Sequence, residues 1–114
     1  MVAKPLNIIE KMVLGTAQFG MDYGIANLKG KPTKKEVFGI LDFAWEMGVR
    51  HFDTAPGYGS EKLLGEFISA NGIHDKAIVL TKISSLFGAS DYQQCIRATL
   101  ESSLENLGCP VDIL

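Results

Sequence analysis

Short apolar runs and amphipathic helical stretches take turns along this chain, and that alternation leaves few folds open. Met12-Val13-Leu14 is an apolar run that stops at Gly15, and Leu6 to Ile9 ahead of it is a candidate for a further strand. Thr33 stands as an N-cap, with Glu36 three residues on completing a capping box. Behind it, Val37, Ile40, Leu41, Ala44 and Trp45 fall at helical spacing until Gly48. Val49 to Asp53 reads as the next strand. Ser60 is placed to cap a helix carrying Leu63, Leu64, Phe67 and Ile68, which stops at Asn71-Gly72, a pair suited to a left-handed terminator. Residues 77–82, AIVLTK, form the near-continuous apolar run expected of a parallel strand covered on both faces. Asp91 caps a helix with Ile96, Leu100, Leu104 and Leu107 on one stripe, closed by Gly108, and Val111 to Leu114 opens another strand.

One helix lies in each interval between the main strands, so the chain is a βα repeat with right-handed crossovers and a parallel sheet. Such a sheet can stay open or close into a barrel, and spacing alone leaves both available. A closed (β/α)8 barrel takes about 250 residues. The 114 residues here supply about three βα units and the start of a fourth, and no linker divides them. The expectation is one incomplete α/β domain over residues 1–114.

Composition narrows the function classes. The chain is 46% hydrophobic and 21% charged with net charge −2, the profile of an ordinary globular protein. A slightly acidic balance with no basic run argues against nucleic acid as a partner. No apolar stretch approaches the roughly 20 residues that cross a bilayer, and the amino terminus does not read as a signal peptide. Cys95 and Cys109 have neither disulfide-framework nor metal spacing, and they read as small hydrophobes in a reducing cytoplasm.

Residues 49–65, VRHFDTAPGYGSEKLLG, carry most of the chemistry. A strand runs into Asp53, and a loop bearing Pro56, Gly57, Tyr58 and Gly59 leads to the next helix. Carboxyl ends of strands are where α/β proteins gather reactive groups. Lys82 closes the following strand. If the faces carrying Asp53 and Lys82 point the same way, an ammonium and a carboxylate meet beside a phenol. A free tyrosine titrates near pH 10, and a neighbouring ammonium favours phenolate while a carboxylate keeps that lysine charged. The product is a positioned general acid, a role typically worth about 10²–10⁴ in rate.

Each residue also has a plainer reading: Asp53 as a turn former, Tyr58 as a loop anchor, Lys82 as a solvated strand end. His51, on the face of Asp53, fits an interior position, and His74 lies in a polar loop at the opposite end of its unit. Phe38 and Trp45 belong to an amphipathic helix and read as core or its flank. Gly15 to Gly20 lacks the Lys-Ser/Thr of a phosphate loop, and no Gly-x-Gly-x-x-Gly opens a helix.

The order of motifs tips the balance. Leu14-Gly15-Thr16-Ala17-Gln18-Phe19-Gly20, Gly48-Val49-Arg50-His51-Phe52-Asp53-Thr54-Ala55, Tyr58-Gly59-Ser60-Glu61 and Leu64-Gly65 are followed by Thr81-Lys82 and Arg97. Leu100-Glu101, Ser103-Leu104, Leu107 and Val111-Asp112-Ile113-Leu114 then complete the series. Over nearly its whole length the chain resembles the amino-terminal part of an aldo-keto reductase, and Asp22-Tyr23-Gly24-Ile25-Ala26-Asn27 is similar to a bacterial branch. The resemblance implies a (β/α)8 TIM barrel that reduces an aldehyde or ketone with NADPH. Asp53, Tyr58 and Lys82 would be three of four catalytic residues, with Tyr58 the proton donor. Gly15, Thr16, Ala17 and Asp53 would lie near the nicotinamide. The fourth, a histidine, would follow the strand that opens at Val111, so the 114 residues alone are expected to be inactive. Two other classes remain open: a Schiff-base lyase or aldolase using Lys82, and a non-catalytic binding module on a reductase scaffold. Exposed sheet edges would favour self-association.

Overall fold

The computed structural model describes residues 7–21 and 30–114. Three strands form a parallel sheet in the order β1 (Val13–Gly15), β2 (His51–Asp53), β3 (Ile78–Leu80). The register sets Val13, His51 and Ile78 abreast, then Leu14, Phe52 and Val79, then Gly15, Asp53 and Leu80. Side chains alternate along a strand, so Leu14, Phe52 and Val79 share one face and the other two rows share the opposite one. A short helix α1 (Ala17–Gly20) follows β1, and α2 (Lys34–Met47) precedes β2. Helix α3 (Glu61–Asn71) leads to β3, and α4 (Tyr92–Leu107) follows it.

The hydrophobic core lies on the Phe52 face. Phe52 and Val79 are fully buried with Val37, Leu41, Leu64, Phe67 and Ile68 from α2 and α3. Trp45 stacks on Phe52 with ring centroids 6.3 Å apart, and Phe38 meets Phe67 edge-on at 5.8 Å. Arg50 covers the outer side of Trp45 at 3.9 Å and donates to the Trp45 and Val49 carbonyls. Helices α3 and α4 approach to backbone contact at Gly65, where a Cβ would lie 2.5 Å from the carbonyl oxygens of Asn106 and Leu107.

Helix ends follow local chemistry. The Thr33–Glu36 capping box forms, the Asp91 side chain accepts from the Gln94 N–H, and Gly48, Gly72 and Gly108 take left-handed φ values. Four expectations need correction. The expected strand before β1 is instead a 3-10 turn, Ile8–Lys11, because the Asn7 side chain accepts from the Ile9 N–H and closes the backbone locally. Leu6 lies outside the described residues, as does the Asp22 to Asn27 stretch. Ser60 makes no cap hydrogen bond; its hydroxyl is spent on two threonines. Val111 to Leu114 adds only one parallel bridge, Leu80 to Ile113, since the Asp112 carboxylate takes the Val79 N–H that a strand carbonyl would accept. Along the α4 stripe Leu107 is buried, whereas Ile96 and Leu104 are exposed.

Candidate active site

The site is built where the three strands end. Beyond the strand ends the hydrogen bonds continue: the Thr16 N–H donates to the Asp53 carbonyl at 3.0 Å and the Thr54 N–H to the Leu80 carbonyl at 2.8 Å. Asp53 therefore sits at a fixed height between two neighbours, its side chain on the face away from the helices. The loop after it makes a 3-10 turn, Pro56–Tyr58, and reverses at Gly59 with φ +75°. Gly20 of α1 seats this loop. A Cβ there would strike the Tyr58 carbonyl oxygen and the backbone of Gly59 and Ser60.

Lys82 joins the pieces. Its ammonium donates to Asp53 Oδ1 at 2.8 Å and to the Thr54 carbonyl at 3.0 Å, and it stands 5.0 Å from the centroid of the Tyr58 ring. Burial works against its charged form, but hydrogen bonding and charge from Asp53, and then from Tyr58, outweigh that and hold its pKa above the usual lysine value. Neutral amine is scarce at this position.

Beneath these groups lies a layer of buried hydroxyls. Thr16 donates its hydroxyl proton to the Asp53 carbonyl at 2.9 Å and contacts Ser60 Oγ at 2.8 Å, and Ser60 contacts Thr54 Oγ1 at 3.0 Å. One proton per hydroxyl fixes the direction of the chain: Thr54 donates to Ser60, Ser60 to Thr16, Thr16 to Asp53. On the other side of Ser60, the buried Glu61 accepts from the Thr81 hydroxyl at 2.8 Å. Sequence reasoning assigned no role to Thr54, Glu61 or Thr81. The signal was available: a threonine adjoins each of Gly15, Asp53 and Lys82 at positions otherwise given to apolar residues.

Asp53, Tyr58 and Lys82 are thus brought together. Gly15 is exposed in register with Asp53, and among the described residues a Cβ on it would meet nothing within 4 Å. Ala17 is half-buried at the start of α1. Thr16 is fully buried, its N–H and hydroxyl on Asp53 and its carbonyl accepting from the Phe19 N–H. His51 is half-buried two rows below Asp53 on the same face, and its Nδ1 has no hydrogen-bond partner among the described residues. His74 lies in the turn leading into β3, away from the group. Among the described residues no set of three or more His, Cys, Asp or Glu could hold a metal ion, and no helix is long and apolar enough to cross a membrane.

The model of the aldo/keto reductase family matches residues 11–114. A norsolorinic acid reductase of Emericella nidulans is 33% identical over 114 residues, 87% of this chain and 29% of that protein. An NADPH-dependent codeinone reductase of Papaver somniferum is 37% identical over 87 residues, covering 74% of this chain and 27% of that one. The crystal structure of a Bombyx mori aldo-keto reductase in complex with NADP superposes with a TM-score of 0.63 at 30% identity, over 86% of this chain and 30% of that chain. The chain spans under a third of the length of these relatives. Its parallel α/β sheet is similar to that of aldo-keto reductase barrels, and with the family's pattern matched from Lys11 to Leu114 it belongs to the aldo/keto reductase family.

Proposed function

We propose that this chain forms the opening arc of a (β/α)8 barrel, about three βα units of one domain, in an NADPH-dependent reductase of small aldehydes or ketones. The observation that carries the reading is the contact set of Lys82, with Asp53 at 2.8 Å on one side and the Tyr58 ring at 5.0 Å on the other. The residues fit a nicotinamide cofactor. Gly15 is open to close approach and stands abreast of Asp53, whose carboxylate is partly exposed. Gly15, Ala17 and Asp53 would lie along the nicotinamide end, and Thr16 would set the height of that floor from below. Bound NADPH supplies the hydride. Tyr58 gives its hydroxyl proton to the substrate oxygen, and the Lys82 ammonium stabilises the negative charge left on the phenol. Asp53 and the Thr54 carbonyl hold that ammonium charged and in place. A reducing cytoplasm suits the free cysteines Cys95 and Cys109.

The 114 residues alone are expected to turn over nothing. Continued by the remaining βα units of an aldo-keto reductase barrel, the chain is expected to support aldehyde-dependent loss of reduced-nicotinamide absorbance. Tyr58→Phe then lowers the rate by about 10²–10⁴ while leaving the coenzyme fluorescence change intact. Full activity in Tyr58→Phe would overturn the assignment, and borohydride trapping of substrate on Lys82 would point to a lyase instead.

A further inference from the structure

The buried polar layer has a hub, and the hub is two adjacent residues. Ser60 reaches the ends of the first two strands through Thr16 and Thr54, and Glu61 reaches the end of the third through Thr81. Each tethered threonine sits next to an exposed or partly exposed group of the site: Thr16 beside Gly15, Thr54 beside Asp53, Thr81 beside Lys82. Side chains alternate, so a threonine pinned inward fixes the backbone from which its neighbour points outward. Ser60, Glu61 and Thr81 are each at most 3% exposed. A hydroxyl or carboxyl hidden to that extent is costly unless paired, so the pairing dictates a single arrangement.

We propose that Ser60 and Glu61 are positioning residues that hold Lys82 against Asp53 and Tyr58, Glu61 acting through the Thr81 hydroxyl. Neither touches the reacting atoms. The tether also explains how an ammonium on the third strand keeps its distance to a loop that leaves the second, since α3 begins at Glu61 and carries both constraints into one helix end. The inference rests on reading Asp53, Tyr58 and Lys82 as the catalytic group.

The test reads Lys82 directly, in the chain continued by the remaining βα units of an aldo-keto reductase barrel, by mass spectrometry of amine acylation, with Lys34 as internal reference. Lys34 has its own partner, Glu66, at 2.7 Å on the surface. A fall of half a unit in the lysine pKa raises the free-amine fraction about threefold. Thr81→Val removes the donor without changing shape, and the Lys82/Lys34 rate ratio is expected to rise at least about threefold, whereas Thr81→Ser stays at the wild-type ratio. Glu61→Met with Thr81→Val removes both partners and leaves no orphaned group, so this double variant keeps a cooperative melt and is expected to show the same rise. A folded double variant with an unchanged ratio overturns the proposal, as does a Thr81→Ser ratio equal to that of Thr81→Val. Cofactor plays no part in this readout. Loss of NADPH binding would sink the reductase reading without touching the tether, and an unchanged ratio would sink the tether alone.

Discussion

At the scale of single residues, the Lys82–Asp53 pair separates chemistry from stability. Both side chains are substantially solvent-exposed, 47% for the lysine and 33% for the aspartate, and an ion pair so exposed contributes at most about 1 kcal/mol. Lys82→Met is therefore expected to shift the urea midpoint only slightly while abolishing carbonyl reduction in an assembled barrel. Loss of more than about 3 kcal/mol, the cost of breaking a buried pair, would show that Lys82 serves the fold first. The pH dependence has a definite sign. The folded-state lysine titrates above its ordinary value of 10.5, so its contribution to stability is complete below that value and fades only as pH rises through the raised one. Unfolding free energies of wild type and Lys82→Met should keep a constant gap from neutral pH to the ordinary lysine range and converge above it. A gap that already closes between neutral pH and the ordinary lysine range would assign the effect to another group.

Elements show where local signals suffice and where they fail. Helices α2, α3 and α4 were legible because each has a periodic apolar face and a glycine stop within its own few residues, and Thr33 and Asp91 cap as their side-chain chemistry dictates. Asp53, Tyr58 and Lys82 were legible as strand-end and loop residues. Ser60 was misread because its position says cap while its partners lie 44 and 6 residues away, and the Glu61–Thr81 bond spans 20. The threonines stand out locally, but which distant residue each one meets leaves no local trace. Glycines obey the same divide, and substitution tells the two kinds apart. Gly65→Ala forces a methyl into the carbonyls of Asn106 and Leu107 where α3 crosses α4, at a cost of about 1–3 kcal/mol. Gly39→Ala lies inside α2, exposed, with nothing within 4 Å of the added carbon, and should stabilise by about 0.5–1 kcal/mol. Thermal unfolding of the two variants should move in opposite directions. Equal shifts would mean that the α3–α4 crossing yields easily.

At the scale of the molecule, the sheet has helices on one face and a different problem on the other. A sheet whose strands follow one another in order, joined by crossovers of one hand, collects its helices on one side. The row carrying Val13 is left on the opposite side, where Val13 is 49% exposed. Among the described residues strand β1 pairs only with β2, so its other edge offers N–H and C=O groups to a strand of matching length. The outer flank of α2 adds Ile40, Phe43 and Met47 in a helical stripe, and α4 adds Ile96 and Leu104. These surfaces lie at the two ends of the βα array, where further repeats of the same kind would cover them. A 114-residue chain kept by itself in solution is therefore expected to self-associate through the β1 edge and these helix flanks. Light scattering should give a mass above 12.4 kDa that falls on dilution, and Phe43→Lys on the α2 flank should shift the equilibrium towards monomer by removing an apolar contact without entering the core. A concentration-independent monomer with a cooperative calorimetric melt would mean that three βα units bury enough to stand alone. The apolar stripe on α2 would then need another explanation than repeat-to-repeat packing.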